Sequence, residues 1–158
     1  MATETKLRQL ADKGCPVYYF YSSERYLVRQ AVVAITRILT ADSDEDATVL
    51  DGAAPEIEQL IMAAGTISFF GTRRVVVLPE IDPAAYSDKD LEELNSTLSS
   101  LENAVVVLGS VFELERSKLK TGKRAQKLIA QCKALGYTEE LAKPKPFELK
   151  MMMIDRAK

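Results

Sequence analysis

Three short runs of β-branched and aromatic residues constrain the fold of this chain most. They occupy residues 17–21, 75–78 and 104–109. The last two runs do not alternate between apolar and polar residues, which is typical of strands buried on both faces of a parallel sheet. The first run is bounded by Gly14 and Pro16 and predicts a buried strand as well. Two shorter strands are predicted at residues 48–50 and 137–141.

Helical patterns separate these predicted strands. Apolar residues recur at three- and four-residue steps from Leu27 to Leu39, which predicts an amphipathic helix. Similar stripes predict helices at residues 3–13, 56–64 and 87–101, and a longer one at 113–135 that is broken or kinked near Thr121 and Gly122. In the helix at 56–64 the pattern places Ile57, Leu60, Ile61 and Ala64 on one packed side. The alternation of strand and helix predicts an α/β fold, a sandwich around a five-stranded and mainly parallel sheet.

The composition excludes several classes of function. The chain contains no histidine, so catalysis by histidine and histidine-ligated metals are excluded, and we expect no metal site. Cys15 and Cys132 have no nearby cysteine partner and are expected to be reduced structural thiols. Lysine and arginine total 21 against 23 acidic residues, so the whole molecule does not attract nucleic acid electrostatically.

Neither a membrane span nor a signal peptide is visible. The uninterrupted apolar runs are far shorter than the roughly 20 residues that a transmembrane helix requires. Residues 1–6 lack the apolar segment of a secretory signal. We therefore expect a cytoplasmic protein without a membrane partner.

The length and the tail suggest the domain organisation. At 158 residues the chain has room for one domain of ordinary size, which we assign to residues 1–141. Residues 142–146 contain two prolines and two lysines and resemble a linker. Residues 142–158 are therefore predicted to be a linker and the start of a truncated second domain.

The turn after the first strand does not have the composition of a phosphate-binding loop. Such a loop needs glycines for close backbone approach and a lysine for the phosphate charge. Residues 21–26 contain neither, and they include Glu24. We therefore expect no nucleotide cofactor, although an atypical nucleotide-binding enzyme that uses Ser22, Ser23 and Glu80 stays open as the alternative.

A basic run follows the third long strand. Six lysines and arginines fall within twelve residues. The run is either a solvated helix face or a set of contacts to phosphate groups or to a partner protein. The candidate contact residues are Arg116, Lys118, Lys120, Lys123 and Arg124.

Phe69 and Phe70 stand side by side before the strand at residues 75–78. Adjacent side chains cannot both face one stripe of a helix or one face of a strand. The two rings therefore either turn back into separate parts of the core or form a hydrophobic plug for a partner, as aromatic anchors do at interfaces.

Two motifs carry a resemblance to a known family. The turn Glu24-Arg25-Tyr26-Leu27 and the stretch Phe-Phe-Gly-Thr-Arg-Arg-Val-Val that begins at Phe69 resemble the N-terminal domain of the bacterial DNA polymerase III delta subunit. The likeness covers about residues 3 to 157. It implies a P-loop NTPase-like AAA+ fold, a three-layer sandwich that lacks the nucleotide site.

The resemblance also implies partners and a binding site. The family's clamp-binding element corresponds here to Ser68, Phe69 and Phe70, with Ile67 as a flanking contact. The implied function is a non-catalytic clamp-loader subunit of a DNA polymerase complex, which binds the sliding clamp (the beta subunit) and helps to open its ring during DNA replication. Other loader subunits would be contacted through C-terminal domains that this chain lacks, and DNA only indirectly.

Overall fold

The structure is a computed structural model that describes residues 4–41, 46–65 and 73–142. Within these ranges it contains a five-stranded sheet, a small hairpin and five α-helices. The strands are β1 (Val17–Ser22), β2 (Thr48–Val49), β3 (Arg74–Leu78), β4 (Ala104–Val111), β5 (Leu114–Glu115), β6 (Lys118–Leu119) and β7 (Tyr137–Glu140). The helices are α1 (Glu4–Asp12), α2 (Arg25–Thr40), α3 (Ile57–Gly65), α4 (Asp88–Ser99) and α5 (Gly122–Leu135), and a short 3-10 turn spans Pro83–Ala85.

The main sheet has the strand order β2-β3-β4-β1-β7, and every neighbouring pair is parallel. The three central strands are β3, β4 and β1. They correspond to the three runs of β-branched and aromatic residues, and almost all of their side chains are buried. The prediction that these runs form the interior of a parallel sheet is therefore confirmed.

Helices cover both faces of the sheet. On one face α1 and α2 pack over Tyr18, Phe20 and Val107. On the other face α3, α4 and α5 pack over Tyr19 and other residues that alternate with the first set along the strands. The result is three layers, as expected for an α/β sandwich.

Local sequence signals explain several element ends. Gly14 ends the first helical segment with φ of 78°, a conformation that glycine adopts without a Cβ penalty. Ser87 caps α4, since its Oγ accepts a hydrogen bond of 3.1 Å from the Asp90 N–H.

The predicted helix at residues 113–135 is wrong in its first half. Strands β5 and β6 form an antiparallel hairpin there, with Leu114 opposite Leu119, and α5 begins only at Gly122. The run contains lysine, arginine, leucine and glutamate, which are good helix formers, so its composition favours the wrong structure. The break predicted near Thr121 and Gly122 coincides with the observed start of α5.

Several predictions lie outside the described residues. They include the clamp-binding residues Ile67, Ser68, Phe69 and Phe70, and all but the first residue of the proposed linker and second domain at 142–158. The division into two domains stays a prediction. No helix within the described ranges has the length and apolar character to span a membrane.

Candidate functional site

The topology creates a crevice at the carboxyl ends of β1 and β4. From β1 the chain enters α2 on one face of the sheet, and from β4 it continues to α5 on the other face. A ligand of an open parallel sheet binds where neighbouring strands diverge in this way. The crevice here has a volume of about 800 Å³, and its walls come from the segments that follow β1, β3 and β4.

The connection from β1 to α2 is short and uses its own side chains as hydrogen-bond partners. Ser23 and Glu24 are the only two residues between the strand and the helix. The Glu24 N–H donates to Oγ of the buried Ser22 over 3.1 Å. The Ser22 carbonyl accepts from the Phe112 N–H over 2.8 Å, which joins the end of β1 to the segment after β4. A phosphate cradle needs several consecutive free N–H groups, and a two-residue turn of this kind does not provide them.

The charged groups of the crevice mostly contact other protein groups. Arg25 Nε at the start of α2 donates to Glu80 Oε1 after β3 over 2.6 Å. Asp82 caps the 3-10 turn through a 3.0 Å hydrogen bond from the Ala84 N–H to its Oδ1. The two carboxylates after β3 therefore have roles in holding the protein together. The wall carries four carboxylates and two cations, which disfavours a phosphate ligand.

A buried polar network fixes the segment after β3 against the sheet. The hydroxyls of Tyr19 and Ser110 lie 2.7 Å apart, and Ser110 Oγ donates to the Ile81 carbonyl over 2.8 Å. Gly109 makes this approach possible, because a Cβ there would lie 2.4 Å from the Pro79 carbonyl oxygen. Ser110 connects β1, β4 and the segment after β3 through one side chain.

The titratable groups near this network are held neutral. Burial raises the pKa of Tyr19 well above its usual range, and the hydrogen bond with Ser110 opposes that shift only in part. Burial, with the nearby Glu140 carboxylate, also raises the pKa of Tyr21. Both phenols therefore remain protonated at neutral pH. Among the described residues no cluster of three or more acidic or cysteine side chains could hold a metal ion.

The end of α3 has a different character. Its buried side consists of Ile57 and Leu60, whereas Ile61 is 52% exposed and Met62 is 73% exposed. Ile61 was expected on the packed side with Leu60, and the structure instead turns it toward solvent. Exposed apolar side chains thus lie on the helix that leads into the segment with the predicted clamp-binding residues.

The basic candidates lie on two elements. Arg116 and Lys118 belong to the β5–β6 hairpin, Lys120 follows it, and Lys123 and Arg124 are in the first turn of α5; all five are exposed. Arg124 is engaged, since its Nε donates to Asp88 Oδ1 over 3.0 Å. The structure therefore keeps the other four near the hairpin and directs Arg124 toward α4.

Sequence reasoning missed the Tyr19–Ser110 pair. Ser110 stands at the end of an apolar run and looks like a strand end by pattern alone. The sequence nevertheless contains a signal for this pair. Val111 and Phe112 continue the apolar run after Ser110, which indicates that Ser110 is buried. A buried hydroxyl requires a hydrogen-bond partner.

Comparison with known protein families identifies the family of this chain. A model of the DNA polymerase III delta subunit family matches residues 18–135, three quarters of the chain. The chain belongs to the DNA polymerase III delta subunit family. The matched range of this delta-family chain includes all of β1 except Val17, the crevice, α3, the predicted clamp-binding residues and the whole of α5. No curated protein matches it in sequence.

A solved structure supports the fold. The chain is similar to a DNA polymerase III gamma subunit-related protein from Thermotoga maritima, with a TM-score of 0.63 and 15% identity. The match covers 92% of this chain and 48% of the other, so the delta-family chain spans about half the length of that relative. At this identity the likeness concerns the fold, and it supports the predicted three-layer α/β sandwich.

Proposed function

We propose that this chain is a clamp-loader module that binds the DNA polymerase sliding clamp through Ile67, Ser68, Phe69 and Phe70, and that it helps to open the clamp ring during DNA replication. The observation that carries the proposal is the family match, which spans these four positions. We further propose that the module acts in the cytoplasm, has no catalytic activity of its own, and works together with other loader subunits.

The described neighbours of the binding segment are compatible with a protein partner. Ile61 and Met62 add exposed apolar area at the end of α3, directly before residues 66–72. Exposed apolar residues that are contiguous in this way are typical of protein-binding surfaces.

The two phenylalanines would supply much of the binding energy. Burying one phenylalanine side chain is worth about 1.5–3 kcal/mol, so two rings in a clamp pocket contribute roughly 3–6 kcal/mol. Since 1.4 kcal/mol corresponds to a tenfold change in affinity, their loss weakens binding by at least about 100-fold.

Ring opening requires a difference in affinity. A ligand shifts an equilibrium only by the ratio of its affinities for the two states. The module therefore promotes opening by binding the open or strained clamp interface more tightly than the closed one. A clamp variant with a weakened ring interface should accordingly bind this chain more tightly than the intact ring.

The test is a calorimetric titration of a sliding clamp with the full chain and with Phe69→Ala plus Phe70→Ala. The control is Tyr26→Ala plus Val33→Ala, which removes two exposed side chains from α2, on the opposite face of the sheet from α3. We expect a loss of at least about 100-fold for the first variant and less than twofold for the control. Equal affinities of the first variant and the unchanged chain would remove the proposed site.

The alternative function, an atypical nucleotide-binding enzyme, depends on the crevice at β1 and β4. Its volume of about 800 Å³ could accommodate a nucleotide, and Ser23, Glu24 and Glu80 line it. The carboxylates of its wall and the Arg25–Glu80 pair argue against this function. Calorimetric binding of ATP with Mg²⁺ at micromolar affinity, abolished by Ser23→Trp, would favour the alternative.

A further inference from the structure

Helix α2 differs from the other described α-helices in composition. Its 16 residues include three arginines but no lysine, aspartate or glutamate, whereas each of the other four helices contains at least one of these three residue types. A helix face that contacts only water ordinarily carries charges of both signs, as α1 does with its Glu4–Arg8 ion pair. Protein interfaces are depleted in lysine, aspartate and glutamate and enriched in tyrosine and arginine. The composition of α2 is therefore closer to that of an interface.

Five of the exposed side chains of α2 form one stripe. They lie within about 100° of one another around the helix axis, since the helix has about 3.6 residues per turn. Two of them are large and largely apolar: Tyr26 is 66% exposed and Val33 is 46% exposed. The stripe extends about 17 Å along the axis, at about 1.5 Å per residue. We call it the α2 stripe, and its members are Tyr26, Arg29, Gln30, Val33 and Arg37.

The two arginines of the stripe, Arg29 and Arg37, have no carboxylate partner within the described part of the chain. The positions one turn before and after each of them, where an ion pair within a helix forms, hold no acidic residue. Arg25 at the start of the helix, by contrast, donates to Glu80. Arg29 and Arg37 lie about 12 Å apart along the axis, and Val33 is midway between them. The stripe therefore presents two uncompensated cations on either side of an apolar residue.

Tyr26 is held in position at one end of the stripe. Its hydroxyl accepts a hydrogen bond of 2.7 Å from Nε2 of Gln30, one turn further along the helix. A side chain that is already oriented loses less conformational freedom on binding than a mobile one. Tyrosine and arginine are also the residue types that contribute most often to binding hot spots. Tyr26 is therefore suited to anchor a partner beside the two arginines.

The charges of the chain itself restrict the choice of partner. Two copies of the stripe packed against each other would bring four arginines together without a carboxylate, which is unfavourable. Residues 143–158 contain five cations and two carboxylates, so their net charge has the same sign as the stripe. The phosphate backbone of nucleic acid is ordinarily bound by clusters of lysine and arginine, and two arginines separated by an apolar residue are not such a cluster. The stripe is instead complementary to an acidic protein surface with an apolar centre.

We propose that the α2 stripe is a docking surface for an acidic amphipathic helix of a partner protein. A stripe along one helix packs readily against a second helix, whose apolar side chains contact Tyr26 and Val33. Carboxylates of the partner pair with Arg29 and Arg37, because a guanidinium group can bind a carboxylate through two parallel hydrogen bonds. The stripe lies on the opposite face of the sheet from α3, so this partner and the clamp can bind at the same time. The proposal does not depend on clamp binding.

The test measures binding of the full chain to a synthetic acidic helix by fluorescence anisotropy. The probe is a fluorescein-labelled peptide of three Leu-Glu-Ala-Leu-Glu-Glu-Ala repeats, which forms an apolar stripe flanked by glutamates. The stripe variant of the chain carries Arg29→Glu and Arg37→Glu. The control carries Lys13→Glu and Lys89→Glu, which makes the same change in net charge at exposed positions outside α2. A difference between the two variants therefore reports the position of the charges.

We expect the stripe variant to bind the peptide at least about tenfold more weakly than the unchanged chain at low salt, because its new carboxylates repel the glutamates. The control should lose less than about threefold, since exposed charges at a distance are screened. A second peptide with lysine in place of glutamate should bind the stripe variant more tightly than the unchanged chain. If the stripe variant does not fold, Arg29→Gln plus Arg37→Gln takes its place and should still weaken binding of the acidic peptide more than the control.

Four outcomes would overturn the proposal. The first is no binding of the acidic peptide by the unchanged chain at millimolar concentration. The second is an equal loss of affinity in the stripe variant and the control. The third is displacement of the labelled peptide by duplex DNA at lower concentration than by unlabelled peptide, which would assign the stripe to nucleic acid. The fourth is self-association of the unchanged chain, but not of the stripe variant, in sedimentation equilibrium, which would assign the stripe to a second copy.

Discussion

The carboxyl edge of the sheet and the end of α3 differ in what their side chains contact. At the edge, hydroxyls, carbonyls and charged groups satisfy one another, as in the hydrogen bonds of Ser110 and the Arg25–Glu80 pair. At the end of α3, apolar side chains such as Met62 extend into solvent. In a P-loop NTPase the carboxyl edge of the sheet holds the ligand. Here several polar groups beside the crevice at that edge have hydrogen-bond partners within the protein itself.

On the proposed function, the difference accounts for an interaction module built on an α/β sandwich. The sheet and its helices require a filled interior, but they do not require a ligand at the strand ends. Internal contacts can replace a ligand there, and on the proposed function a partner protein would bind near the end of α3. The comparison predicts that substitutions at the edge change stability, and that substitutions at the end of α3 do not.

The largest expected effect on stability comes from a substitution at Gly109. Gly109→Ala places a Cβ 2.4 Å from the Pro79 carbonyl oxygen and 2.8 Å from Val28 Cγ1. We expect unfolding free energy to fall by about 3 kcal/mol, because the backbone after β3 must move. The matched control is Gly65→Ala at the end of α3, where no described atom lies within 4 Å of the added Cβ. Denaturant titration should show the control unchanged or slightly more stable. A tolerated Gly109→Ala would show that the segment after β3 does not pack closely against β4.

The next effect comes from the buried hydroxyl network. Ser110→Ala leaves the Tyr19 hydroxyl and the Ile81 carbonyl without their partner, which should cost about 2 kcal/mol. Tyr19→Phe should cost less in the Ser110→Ala background than in the unchanged chain, since the shared hydrogen bond is already gone. Denaturant titration of the four proteins in this cycle measures the coupling. Strictly additive costs would show that the two hydroxyls do not interact.

The third prediction concerns the buried thiol of Cys132 and the stability of the chain at alkaline pH. Burial raises the pKa of Cys132 from 9.0 to about 12. In the unfolded chain this thiol ionises above about pH 9, whereas in the folded chain it stays protonated, so stability falls as pH rises from about 9 to 12. Between pH 8 and 10 the unchanged chain should lose on the order of 1 kcal/mol more than Cys132→Ala. Parallel pH profiles of the two proteins would indicate that Cys132 is accessible to water.

The smallest effect is expected at the end of α3. Ile61→Glu plus Met62→Glu should change the unfolding free energy by no more than about 0.5 kcal/mol, because both side chains are already more than half exposed. Leu60→Ala, on the buried side of the same helix, should cost about 2–5 kcal/mol. A large loss of stability in the double glutamate variant, measured by thermal unfolding, would show that this surface packs against the protein.

The sequence predicts the central strands and α2 well because the signals for them lie within each segment. Unbroken β-branched runs require burial on both faces, and helical stripes require one packed side, so β1, β3, β4 and α2 follow directly from composition and period. The strand order does not follow from the same signals, since it depends on which crossover each helix makes. The absence of phosphate-loop residues after β1 was also visible, and the structure adds that Ser22 and Arg25 have other partners.

Prediction from the sequence failed where the local pattern favoured the wrong structure or fitted two structures equally well. Residues 113–120 have helix-forming composition, and their turn uses Arg116 and Ser117 in place of asparagine and glycine, so no hairpin signal was present. The exposure of Ile61 was missed because its position fits the apolar stripe of α3 equally well. The plug at Phe69 and Phe70 was proposed from adjacency and resemblance, and it stays a prediction.

The most direct measurement of the proposed function is fluorine NMR of the chain with 4-fluorophenylalanine at positions 20, 69 and 70. The buried Phe20 is the internal reference for a solvent-protected ring. We predict that both signals are relaxed by a soluble paramagnetic probe in the free chain and become protected when one equivalent of sliding clamp is added. Signals as protected as that of Phe20 in the free chain, and unchanged by the clamp, would place both rings in the core and contradict a clamp-binding plug.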